Sequence, residues 1–133
     1  MRVVVDTSVW SLAFRRRTPV VSRHVELLKD LIQDGRVVLL GLVRQELLSG
    51  IRHPQQFDRL RRQLRAFPEA PLDIADHEVA AEHYNTCMAA GVHGSAADYL
   101  ICAYATRRNF HILTTNPDFQ HYSKHISLSL FGP

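Results

Sequence analysis

Apolar residues fall along this chain in two patterns, short unbroken runs and stripes at helical spacing, and the two alternate. Val3-Val4-Val5 is a continuous run of the kind a strand covered on both faces needs, so residues 2–5 are predicted as strand. A short helix through Trp10 and Phe14 is expected next, then a loop from Arg15 to Pro19. Between Ser22 and Gln33 the residues Val25, Leu28 and Ile32 share one helical face, and Gly35 ends that helix. Val37 to Leu40 is expected as a second buried strand. Val43, Leu47 and Ile51 mark a helix over 42–51, and Pro54 opens another whose stripe is Phe57, Leu60, Leu64 and Phe67. Further on, the pattern predicts a strand at 72–74 and a helix capped by Asp76 that closes at Gly91. A helix from Ser95 to Arg108 and a strand at 111–114 should follow, with a helical turn at 118–122 and an edge strand at 126–130. Strands alternating with helices predict an α/β domain on a parallel sheet. No repeat, linker or biased segment interrupts residues 1–133, so a single domain is expected.

Composition narrows the class without naming it. The 133 residues suffice for a proper core, and a hydrophobic fraction of 46% with 22% charged residues is that of a soluble globular protein. No apolar run reaches the length of a membrane span, and Met1-Arg2 before the valines does not read as a signal peptide. Cys87 and Cys102 lack zinc-ligand spacing, so free thiols in a reducing cytoplasm are expected. The net charge is +3, and of 16 basic residues only Lys29 and Lys124 are lysines. Arginine's rigid donor fork suits phosphate or carboxylate, which makes nucleic acid or an acidic partner reasonable. A solvated surface explains the same charge equally well.

The candidate chemistry lies in acidic and amide side chains at the ends of these elements. Asp6 follows the first strand, Asn116 and Asp118 follow the strand at 111–114, and Glu46 and Asp98 sit in helices. In an open parallel sheet the site lies beyond the carboxyl ends of the strands. Gathering carboxylates is costly unless a cation offsets their repulsion, and hard cations such as Mg²⁺ take oxygen ligands with water. Each residue also has a plain structural reading. Asp6 before Thr7-Ser8 is a good N-cap. Ser95 and Asp98 have the spacing of a capping box. Glu46 lies off the stripe of its helix, where Gly50 leaves space beside it, and Asp118 could cap the turn after Pro117. Ser8 suits a helper hydroxyl better than a nucleophile, since no Gly-x-Ser-x-Gly elbow is present. Glycine-rich phosphate loops are absent, and the eight histidines form no ligand pattern. Trp10 and Tyr99 read as packing residues. An aspartyl-phosphate enzyme built on Asp6 is disfavoured, because Ser8 stands where a second Asp would be needed.

In their order, these stretches resemble the motifs of the PIN-domain ribonucleases, in particular the VapC-type toxins of bacterial toxin–antitoxin pairs. Val3-Val4-Val5-Asp6-Thr7-Ser8-Val9-Trp10 is similar to the first motif and Gln45-Glu46-Leu47-Leu48-Ser49-Gly50 to the second. Asp98-Tyr99-Leu100-Ile101-Cys102-Ala103 is similar to the third, and Thr114-Thr115-Asn116-Pro117-Asp118-Phe119 to the fourth. The resemblance covers nearly the whole chain. It implies a three-layer PIN-like sandwich with a mostly parallel sheet of four to five strands. It also implies Mg²⁺- or Mn²⁺-dependent endonucleolytic cleavage of RNA, restrained by a cognate antitoxin, and supports a homodimer, with the stripe Phe57, Leu60, Leu64 and Phe67 expected to make contacts between subunits or between its helix and the neighbouring one. Asp6 and Asp98 would be direct metal ligands, with Glu46 acting through water. The fourth position departs from the family's usual acid: Asn116 occupies it and is expected to face the metal, with Asp118 nearby as a cap or supporting group. A PIN-like module that binds RNA or protein without cutting is the alternative.

Overall fold

The computed structural model describes residues 1–16, 18 and 20–132; Arg17 and Pro19, the ends of the expected arginine run and loop, and Pro133 lie outside the described residues. Four parallel strands, β1 (Val3–Val5), β2 (Val37–Leu40), β3 (Glu69–Ala70) and β4 (His111–Leu113), form one sheet in the order β3-β2-β1-β4. The helices among the described residues are α1 (Thr7–Phe14), α2 (Arg23–Gln33), α3 (Gly41–Leu48), α4 (Pro54–Leu64), α5 (Ile74–Ala89), α6 (Ala96–Arg108) and α7 (Asp118–Tyr122). The expected α/β class with a parallel sheet is borne out.

Side chains of successive strand residues point to opposite faces, and Val3, Val4 and Val5 all have 0% exposure, so both faces of β1 are covered. The chain steps outward from β1 to β2 to β3, then returns across the sheet to β4. Right-handed crossovers therefore place α1–α4 on one face and α5–α6 on the other. In keeping with this, α2 packs on β2 while α6 packs on β1 and β4. The reversal falls between β1 and β4. At that point loops diverge to opposite faces and leave a crevice at the strands' carboxyl ends.

Several local expectations shift. The strand expected at 72–74 is instead Glu69–Ala70, just before Pro71, which has no N–H to donate to a ladder. Ile74 is then the first residue of α5. Asp73, not Asp76, is its N-cap: the two close a capping box, with each carboxylate accepting the other's backbone N–H at 2.9 Å. Asp76 is fully buried and also accepts from Arg107 Nη1 and Arg108 Nη1, both at 2.7 Å, and from Arg108 Nη2 at 3.0 Å. This cluster pins the start of α5 to the end of α6. The stripe of α2 is centred on Val25, Leu27, Leu28 and Leu31, with Ile32 only half-buried. Helix α3 stops at Leu48, and Gly50, at φ +84°, makes the turn that follows it. The expected edge strand at 126–130 reduces to one parallel bridge, Ile112 to Leu130.

The α4 stripe is spent on the protein's own core. Leu60 and Leu64 are buried, and Phe67, in the turn beyond the helix, meets Trp10 edge-on at 5.0 Å. Only Phe57, 37% exposed, faces outward. Trp10 and Tyr99 are buried packing residues, as read from sequence. Among the described residues no helix is long and apolar enough to cross a membrane.

Candidate active site

Asp6 leaves the end of β1 as the residue before α1, but its side chain does not cap that helix. Its Oδ2 instead accepts from Ser8 Oγ at 2.9 Å and Thr114 Oγ1 at 2.8 Å. Those hydroxyls are themselves fixed, because the amide of Thr115 donates to Ser8 Oγ and that of Asn116 to Thr114 Oγ1. The loop after β4 thus grips the loop after β1 at the crevice. Thr114 is the site residue that sequence reading missed. Its position just past β4, which pairs with β1, was the available signal.

Asp98 lies in the first turn of α6. Ser95 Oγ accepts its backbone N–H at 3.1 Å, while its carboxylate Oδ2 accepts from Tyr122 Oη at 2.7 Å. Burial raises the Asp98 carboxyl above the usual range. The charges of Asp6 and Asp118 add to this, while the hydroxyls of Tyr122 and Ser95 oppose it. Burial and the facing Asp98 likewise push the Tyr122 hydroxyl up, so it remains a donor. Cys102 is raised by burial and then by Asp98, with Cys87 and Asp6 contributing. The charges of Asp6 and Asp118 therefore both reach the Asp98 carboxyl.

Among the described residues, none of these three carboxylates has an Arg, Lys or His within ion-pair distance. Asp58, Asp73, Asp76, Glu26 and Glu69 all pair with arginine. Arg23, Arg44, Arg61, Arg62, Arg107 and Arg108 make these pairs, all away from Asp6, Asp98 and Asp118. Like charges left together without a counter-charge form a donor set suited to a hard cation. Among the described residues, no group of three or more His, Cys, Asp or Glu side chains is placed to hold a metal ion by itself. Mg²⁺ does not require one, since it is usually held by one or two carboxylates together with water and substrate phosphate.

The sequence matches the PIN domain family over residues 3–125. The chain belongs to the PIN-domain family. Solved structures share the PIN fold at low identity. The chain of "Crystal structure of VapBC2 from Rickettsia felis bound to a DNA fragment from their promoter" has a TM-score of 0.79 at 17% identity, covering 98% of each chain. FitAcB from Neisseria gonorrhoeae gives 0.78 at 21% identity, covering 98% of this chain and 96% of that one. VapBC-1 from nontypeable Haemophilus influenzae gives 0.74 at 17%, covering 98% and 97%. No curated protein sequence matches.

Within this PIN domain, the other expected site residues are placed unequally. Glu46 is exposed on α3, and its Oε1 accepts from Thr7 Oγ1 at 2.8 Å, tying it to the first turn of α1. It stands beside Thr7 at the edge of this region, and its charge is not among those that act on Asp98. In the fourth motif the two candidate residues are placed differently. Asn116 Oδ1 accepts the Asp118 N–H at 2.9 Å, so the amide shapes the turn into α7. Asp118 is exposed with its charge free, and it is the one that acts on Asp98. Asp118→Asn is accordingly expected to weaken Mn²⁺ binding more than Asn116→Ala does. Titration calorimetry on both variants checks this, and the reverse ranking would restore Asn116 as the fourth group.

Proposed function

We propose that this PIN domain is a Mg²⁺- or Mn²⁺-dependent endoribonuclease, the toxin of a toxin–antitoxin pair working in the cytoplasm. The observation that carries the reading is the set of three uncompensated carboxylates at the sheet's switch point, in a chain rich in arginine. Asp6 and Asp98 would hold the cation, Asp118 would complete the acidic set, and Glu46 would orient water at the rim. A bound divalent cation supplies charge for the phosphoryl and leaving oxygens and an acidified water for attack. The protein's part is positional. Ser8 and Thr114 fix Asp6, and the β1–β4 pairing brings the two loops together.

RNA backbone would be gripped beside this site. A cleft of ≈ 480 Å³ runs between the end of α1 and α4, lined by Arg15, Arg16, Arg59, Arg62 and His53. Its one acid, Asp58, is already paired to Arg61 and Arg62. Phosphate contacts of this kind supply sequence-independent affinity that falls with salt. The antitoxin partner is supported by the neighbours, which were solved as VapBC and FitAB assemblies.

The test is cleavage of a single-stranded RNA by the purified chain. Activity should vanish on chelation and return with Mg²⁺ or Mn²⁺. RNA that is bound but never cut under any metal would favour the non-catalytic binding module.

A homodimer is also part of the proposal, but not through α4. Three of the exposed apolar residues, Ile74, Tyr84 and Met88, share α5, beside a groove formed with Tyr99 and Leu100 of α6. A dimeric mass by light scattering that becomes monomeric in Tyr84→Asp is the expected outcome. A monomeric wild type would remove this part of the proposal.

A further inference from the structure

Helices α5 and α6 open with the same sequence device, a capping residue followed three positions later by an aspartate. In α5 both halves of the box are closed, by Asp73 and Asp76. In α6 only one half is closed. Ser95 accepts the Asp98 N–H, but the Asp98 carboxylate does not return to the Ser95 amide; it takes the Tyr122 hydroxyl instead.

We infer that Tyr122 is a positioning residue, whose hydroxyl draws Asp98 out of its capping box and holds the carboxylate beside Asp6, and that Gly94 is present to make room for it. The inference rests on the nuclease reading for the purpose of the site, and on geometry for the rest. Tyr122 is 1% exposed, and its ring is wedged between Tyr99 at 4.9 Å and Phe119 at 5.3 Å. A ring so confined offers its hydroxyl one location. A Cβ on Gly94 would lie 2.5 Å from Tyr122 Oη and 2.8 Å from its Cε1 and Cζ, well inside contact distance. Gly94 is not among the glycines with positive φ. The backbone there does not demand glycine, but the tyrosine does.

Side chains that hydrogen-bond a metal ligand orient it, and their loss typically weakens metal binding about tenfold or more. Tyr122→Phe removes one oxygen and keeps the packing. It is expected to bind Mn²⁺ about tenfold more weakly by calorimetry, with a melting temperature close to wild type. Gly94→Ala, which displaces the hydroxyl instead of deleting it, should weaken Mn²⁺ comparably. The double variant should bind no more weakly than the weaker single, because both act through one contact. Tyr99→Phe is the packing control: its hydroxyl reaches the Val92 carbonyl at 3.4 Å and Cys87, with no hydrogen bond to Asp98 among the described residues, and its Mn²⁺ affinity should be unchanged.

Wild-type affinity in Tyr122→Phe, or an equal loss in Tyr99→Phe, overturns the positioning role while leaving the metal site standing. A wild type that binds no Mn²⁺ overturns the metal reading and the positioning role together.

Discussion

Asp98→Asn is expected to abolish RNA cleavage and to raise the melting temperature of the metal-free protein. The two effects have one cause. Burial, with the charges of Asp6 and Asp118, raises the Asp98 carboxyl in the folded state. A group so raised favours folding below its unfolded pKa, and that contribution is lost as pH rises through the folded value. At neutral pH the ionised carboxylate is therefore a burden on the fold, one a bound cation would relieve. Asparagine keeps the shape and an oxygen for Tyr122 but carries no charge. Melting of both proteins in chelator, from pH 4 to 8, should show the variant's advantage growing with pH. A variant that melts well below wild type would mean that Asp98 serves as a helix cap instead, as its spacing from Ser95 allows.

Asp76→Ala is expected to give the opposite pattern, full chemistry on a weakened fold. Asp76 closes the capping box of α5 and receives two guanidinium groups while fully buried. Burial alone would raise its carboxyl, but Arg108, the Asp73 amide and Arg107 outweigh it and hold it far below the usual range. Removing one partner of a buried ion cluster costs about 3 kcal/mol, the low end of the range, since both arginines reach solvent. That corresponds to a fall of roughly 10 °C in melting temperature for a domain of this size. The stability from Asp76 is complete above its unfolded pKa of about 4 and is lost as pH falls further, so the gap between the proteins should close in acid. Thermal melts at pH 7 and pH 3 measure it. Equal melting at pH 7 would show the cluster to be ornamental.

The contrast between these aspartates explains what the sequence could reveal. The fold was legible because β1 and β2 are unbroken apolar runs, and because proline and glycine punctuate the helices where the backbone requires them. The identity of the acids was legible from their order and their resemblance to four motifs. Their individual roles were not. Asp76 and Asp98 both read as residues of a helix start, one as a cap and one as a box member, but Arg107 and Arg108 meet the first while Tyr122 meets the second. Partners from 24 and 32 residues away decide such cases, and no local pattern reports them. The fourth motif was illegible for a similar reason: either side chain of so short a turn could face the site, and only the folded chain shows that Asn116 Oδ1 is taken by the Asp118 amide. Strand β3 was misplaced because Leu72 and Ile74 alternate like a strand, while Asp73 between them starts a helix.

The clasp between Thr114 and Asp6 joins residues 108 positions apart. β1 is translated long before its second neighbour, β4. Pairing across so long a loop is slow to form, and folding during synthesis proceeds from the amino end. A nascent chain that has not reached residue 111 therefore exposes one edge of β1 and leaves Asp6 without its Thr114 hydroxyl. A chain arranged this way cannot complete its candidate site until β4 has been translated and has docked on β1.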